Sequence, residues 1–164
     1  MKTLILVRHA EAERTAEFTN DFKRPLSQNG IKQAEEVAKR YSEMYDLPDY
    51  CVASDAERAK QTSEIFLKQF KIPKESLNLR NELYTGNVNN LFYVIQQTNN
   101  AFNRLMLVGH NPSVSRFAGC FINGENYIMS PTAGVITLNF ACDRWDEITK
   151  CGVSIEGYLY PKNI

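Results

Sequence analysis

The chain lacks the marks of several broad protein classes. It has no charge surplus: Lys plus Arg is 19 and Asp plus Glu is 19, and no run of like charge extends beyond a few residues. Binders of nucleic acid or anionic membranes show a basic excess or stripe, so neither partner is expected. Nor is there a long apolar run near the start. Leu4 to Val7 is closed at once by Arg8, far too short for a signal peptide or a membrane span, and the expectation is a cytoplasmic protein. The four cysteines, Cys51, Cys120, Cys142 and Cys151, are scattered without a Cys-x-x-Cys pair, which argues against zinc and disulfide frameworks. Histidine is scarcer still, represented only by His9 and His110.

What is present is the composition of an ordinary globular domain: 164 residues, 43% hydrophobic, 11% aromatic and 23% charged. One domain over residues 1–164 is expected, long enough to bury roughly 70% of the surface its unfolded chain exposes. No linker, repeat or low-complexity segment divides it.

Lys2 to Val7, Arg104 to Val108 and the shorter Tyr50 to Ala53 read as strands buried on both faces of a mostly parallel sheet. Ile31, Ala34, Val37, Ala38, Tyr41, Met44 and Tyr45 recur at helical spacing behind Ser27 as N-cap, and Pro48 bars the helix from continuing. Asp55 is read as the cap of a second helix carrying Ala56, Ala59, Thr62, Ile65 and Phe66. A weaker amphipathic stretch covers Leu91 to Ile95, and a further helix opens at Pro112, a residue suited to a first helical position. Beyond Gly124 the pattern alternates. Val135, Thr137 and Asn139, then Trp145, Glu147 and Thr149, predict an antiparallel hairpin turned by Cys142-Asp143-Arg144. The order predicts a three-layer α/β/α sandwich with a mostly parallel central sheet and an antiparallel edge hairpin.

Ligands bind such sheets outside the carboxyl ends of the strands. Both histidines fall immediately after a predicted strand, so the two imidazoles are expected to meet there. Arg8 precedes His9, and Arg58 lies in the first turn of the helix after the third strand, at the same edge. Guanidinium forks suit a phosphoryl group because they bond two oxygens at once and stay charged. Arg14, Arg40, Arg80 and Arg144 are read as ordinary surface residues. Two neighbouring cations disfavour the imidazolium form of His9, leaving a neutral nitrogen to attack phosphorus. His110 is placed to donate to the developing negative charge, with the N–H groups of the helix after Pro112 pointing to the same place. With the charge neutralised by protein, neither a metal nor a cofactor is expected.

Val7-Arg8-His9-Ala10-Glu11 resembles the Arg-His-Gly/Ala signature of the histidine phosphatase superfamily, also called phosphoglycerate mutase-like. The run from Ser54 to Thr62 is similar to its Ser-x-x-x-Arg-x-x-x-Thr block, and Val108-Gly109-His110-Asn111-Pro112 to its second histidine block. Arg24-Pro25-Leu26-Ser27-Gln28-Asn29-Gly30, Glu82-Leu83-Tyr84 and Pro131-Thr132-Ala133-Gly134 resemble the SixA-like branch, the phosphohistidine phosphatases. The resemblance implies phosphoryl transfer to His9, a phosphohistidine intermediate hydrolysed by water, and a pocket of Arg8, Arg58 and His110. It puts Glu82 where larger members keep an acidic proton donor; from the residue alone it is an exposed carboxylate before an apolar pair. Arg24 either contacts phosphate or fixes the loop that enters the first long helix. Asp55, if near the pocket, would trim its affinity for anions.

The short interval between Arg58 and His110 is filled by the expected elements and leaves little chain for a lid. A shallow site suits a phosphate projecting from another protein, so the expected substrate is phosphohistidine on a phosphorylated signalling protein. A small phosphate monoester and a non-catalytic phosphate-binding role are the alternatives. Activity is expected to fall as pH drops through about 6.5, the ordinary range of imidazole.

Overall fold

The computed structural model describes residues 1–122, 124 and 130–161. Six strands form one sheet in the order β3-β2-β4-β1-β5-β6: β1 (Lys2–Arg8), β2 (Tyr50–Ala53), β3 (Leu77–Leu79), β4 (Arg104–Gly109), β5 (Val135–Phe140) and β6 (Val153–Leu159). The first four are mutually parallel, while β5 and β6 run antiparallel at one edge. The helices are α1 (Gln28–Met44), α2 (Glu57–Phe70), α3 (Val88–Gln96) and α4 (Ser113–Gly119).

Alternation along β1 explains the three layers. Ile5 and Val7 face α1 and α2, packing with Ala34, Val37, Tyr41, Phe66 and Leu67. Leu4 and Leu6 face the opposite side, with Leu91, Ile95, Val114 and Phe117 from α3 and α4. A central strand covered on both faces must be apolar at successive positions, as its sequence is.

Ser27 caps α1 as expected, its Oγ accepting from Gly30 N–H at 3.0 Å. Met44, assigned to the apolar face, is 59% exposed near the helix end. The cap of α2 differs: Ala56 occupies the N-cap position, its N–H donating to Ser54 Oγ at 3.2 Å, while the Asp55 carboxylate accepts from Asn81. Helix α4 starts one residue after Pro112.

The edge hairpin is real, but its second strand is β6 and not Trp145 to Thr149. Trp145 lies in a single 3₁₀ turn and is fully buried, with Nε1 donating to Phe102 O at 3.0 Å and the Lys2 ammonium 5.6 Å from the ring. Burial of that ring and its two polar anchors outweigh an alternation only three residues long. The true partner of β5 alternates equally, and Gly157 in it lets Tyr45 pack where a Cβ would meet the phenol.

The parallel register sets the site. Val7 pairs with Val108 and Arg8 with Gly109, and His9 N–H continues the ladder to Gly109 O at 3.0 Å. His9 and His110 therefore leave adjacent strands at equal height. Ala53 pairs with Val108 on the other side of β4, which brings Ser54 and the start of α2 to the same edge.

Candidate active site

His9 and His110 meet as expected, their ring centroids 5.0 Å apart, with His9 9% and His110 4% exposed. His9 Nδ1 lies 2.7 Å from Ala10 O. A carbonyl only accepts, so Nδ1 carries the proton and Nε2 keeps its lone pair. Burial pushes the His9 pKa down to about 4; the Ala10 contact opposes this, and the charges of Arg58, Arg8 and Arg24 add to the lowering. His110 is pushed down to about 3, by burial first and then by His9 and Arg58. Both rings are neutral near pH 7.

His110 is oriented from outside the pocket. Its Nε2 lies 2.8 Å from Ser54 Oγ, and its Nδ1 is buried with no hydrogen-bond partner among the described residues. Thr62 completes the same block: its Oγ1 accepts from Ala10 N–H at 3.0 Å and donates to Arg58 O at 2.7 Å, tying the first turn of α2 to the chain just beyond His9. The sequence block thus contributes Ser54, Arg58 and Thr62 for three separate tasks.

Arg58, only 6% exposed, is held by a residue that sequence reasoning missed. Its Nη1 donates to the backbone carbonyl of Asp21 at 2.8 Å and its Nη2 to Asp21 Oδ2 at 3.0 Å, while Nε has no partner among the described residues. Asp21 reaches the site because the chain after His9 folds back on itself, through an isolated Ala12–Leu26 bridge and a Glu13 N–H bond to Pro25 O. Its carboxylate also accepts from Arg24 Nε and Nη2, at 3.2 and 2.9 Å on Oδ1, and from the Tyr84 hydroxyl at 2.9 Å on Oδ2. Burial alone would raise its pKa, but the bonds from Tyr84, Arg24 and Arg58 hold it down to about 2. Tyr84 stands edge-on to His110 at 5.7 Å and to Phe22 at 5.2 Å, and the Arg58 guanidinium lies 6.0 Å from its ring.

The remaining candidates divide. Arg8 Nη1 donates to Ser130 O at 2.8 Å, an oxygen that also accepts from Asn111 Nδ2. Arg24 spends its other Nη on Glu13 O at 2.8 Å, which makes it a brace of the folded-back loop. Glu82 is ion-paired. Arg80 holds both its oxygens, at 2.8 and 3.2 Å, and none of its hydrogen bonds reaches His9, His110 or Arg58. Those bonds lower its pKa, contrary to what a proton donor needs. The helix after Pro112 satisfies several of its own N–H groups. The N–H groups of Val114, Ser115 and Arg116 are taken by His110 O, Asn111 Oδ1 and Pro112 O. No three His, Cys, Asp or Glu side chains converge as a metal set among the described residues.

Residues 4–118 match the profile of the histidine phosphatase superfamily, branch 1. The chain belongs to that superfamily. Its fold is shared with the putative phosphohistidine phosphatase SixA from Agrobacterium tumefaciens, with a TM-score of 0.80 at 24% identity over 98% of this chain and 99% of that one. The protein histidine phosphatase SixA complexed with tungstate gives 0.81 at 22% identity over 97% of each chain. In Drosophila yakuba, the mitochondrial serine/threonine-protein phosphatase Pgam5 is 42% identical over 74 residues, which is 45% of this chain and 25% of that protein. The match thus spans about a quarter of the length of these curated relatives. No helix among the described residues is long and apolar enough to cross a membrane.

Proposed function

We propose that the protein is a phosphatase that works through a phosphohistidine intermediate on His9 and acts on phosphohistidine of a signalling protein. The observation that carries the reading is the Nδ1 contact of His9 to Ala10 O at 2.7 Å, which sets the tautomer: with burial keeping the ring neutral, Nε2 is the unprotonated nitrogen on the side of Arg58 and His110. In the first step Nε2 forms a bond to phosphorus, the bond from phosphorus to the leaving nitrogen breaks, and the leaving imidazole takes a proton from solvent. In the second, water attacks the phosphorus, returns the lone pair to Nε2 and releases inorganic phosphate.

The neighbours serve the charge that spreads over the phosphoryl oxygens in both steps. Ser54 Oγ accepts from Ala56 N–H, and His110 Nε2 is the one acceptor recorded for its own proton among the described residues; we therefore assign that bond as Ser54 donating, which puts the His110 proton on Nδ1. That buried Nδ1–H is a donor waiting for an oxygen. Arg8 and Arg58 supply the fixed positive charge. No carboxylic acid is needed when the leaving group is an imidazole, because the ring nitrogen can itself be protonated, and this fits a Glu82 carboxylate that is held by Arg80. The oxyanion tungstate in the SixA complex supports a phosphate-shaped pocket on this fold.

A second reading, hydrolysis of phosphoserine or phosphothreonine on proteins, draws on the match to Pgam5 over 74 residues. A panel separates the two: a phosphohistidine peptide, a phosphoserine peptide and a sugar phosphate, each at equal concentration, with wild type and His9→Ala. The expected result is the highest kcat/KM for phosphohistidine and no turnover by His9→Ala. Faster turnover of the phosphoserine peptide would transfer the assignment to the second reading, and faster turnover of the sugar phosphate would favour a metabolite substrate.

A further inference from the structure

Asp21 is a carboxylate standing where the reaction calls for cations. Both of its oxygens are committed. Oδ1 accepts twice from Arg24, and Oδ2 accepts from Arg58 and Tyr84, which uses about the four lone-pair sites a carboxylate offers. A group so saturated has no lone pair left to take a proton from water, so a general-base role does not fit.

Its grip on Arg58 is directional. Nη1 and Nη2 point to the Asp21 carbonyl and Oδ2, which occupies the end-on edge of the guanidinium plane. The side-on edge, made of Nε–H and the second Nη2 proton, is left over, and its Nε is buried without a partner among the described residues. Two parallel N–H groups on one edge are the fork that matches two oxygens of a phosphoryl group.

We propose that Asp21 is the positioning residue of the phosphate pocket: it clamps the outer edge of Arg58 so that the inner fork meets the transferring phosphoryl group, and its negative charge offsets part of the field of Arg8, Arg24 and Arg58 so that product phosphate is released. The proposal rests on the phosphatase reading above. The two effects have opposite signs in binding. Orientation of the fork matters most in the transition state, whereas a free phosphate in the ground state responds chiefly to net charge. Loss of the carboxylate therefore strengthens phosphate binding while it weakens catalysis. A general structural loss weakens both.

The test uses the full chain with Asp21→Asn and Asp21→Glu, each checked for an unchanged thermal midpoint. Steady-state kinetics on the best substrate of the panel gives kcat/KM, which is blind to product release, and calorimetry gives the dissociation constant of inorganic phosphate. For Asp21→Asn the expected result is a kcat/KM about tenfold lower and phosphate bound about tenfold tighter. Asp21→Glu keeps the charge and is expected to return phosphate affinity to within about twofold of wild type while recovering only part of kcat/KM. Parallel loss of phosphate affinity and kcat/KM in Asp21→Asn would overturn the proposal, as would a variant indistinguishable from wild type. If wild type turns over none of the substrates but binds phosphate, the phosphatase reading fails while calorimetry still decides the charge effect. If it does not bind phosphate either, both fail.

Discussion

In the proposed mechanism His9 carries the chemistry, and its surroundings change what pH should do to it. A free imidazole titrates near 6.5, and from the sequence the acid limb of activity belongs there. Burial, followed by the three arginines, lowers the His9 pKa to about 4, so the neutral nucleophile persists well below pH 6 and is lost only as pH falls through that value. The pH profile of kcat/KM reports the free enzyme. Corrected for the separately titrated ionisation of the substrate phosphate, it is expected to be flat from pH 7 to 5 and to decline near 4. An acid limb centred at 6.5 would mean that the ring is solvated and unperturbed. Glu82 shows the reverse case: its place in a resemblance suggests a proton donor, while the structure records its carboxylate held by Arg80.

At the scale of elements, what was legible tracked hydrophobic runs and caps. Strands β1 and β4 could be read because covering on both faces forces continuous apolar sequence, and Ser27 because an N-cap needs a short acceptor at one position. The Trp145 strand failed because alternation over a few residues does not reveal which side chain has tertiary anchors. Asp21 was invisible for a different reason: its link to Arg58 spans 37 residues and arises from the folding back of the loop after β1, which no local pattern encodes. That same loop presses on α1. A Cβ at Gly30 would stand 1.9 Å from the Glu11 carbonyl oxygen, so something must move. Gly30→Ala is expected to destabilise by about 1–3 kcal/mol, as overpacking does, and to lower kcat/KM by shifting the chain beyond His9. A urea midpoint equal to wild type would show that the loop and helix part freely.

Over the whole molecule, a charge balance of zero coexists with three arginines and one carboxylate gathered at one sheet edge. Neutral composition argues against extended polyanions as partners but is compatible with a single concentrated anion site. The chain between Arg58 and His110 is consumed by the rest of α2, by β3, a 3₁₀ turn at Asn81–Leu83, α3 and β4, so this interval supplies no inserted helical cover. That economy of chain is consistent with the proposed substrate, a phosphoryl group presented by another protein. The central claim concerns the nucleophile. Rapid quenching with alkali after mixing with a phosphorus-32-labelled phosphodonor, with peptide mapping of the quenched protein, is expected to find an alkali-stable, acid-labile phosphate on His9 that is absent from His9→Ala. Label on another residue, or undiminished turnover by His9→Ala, would contradict the account.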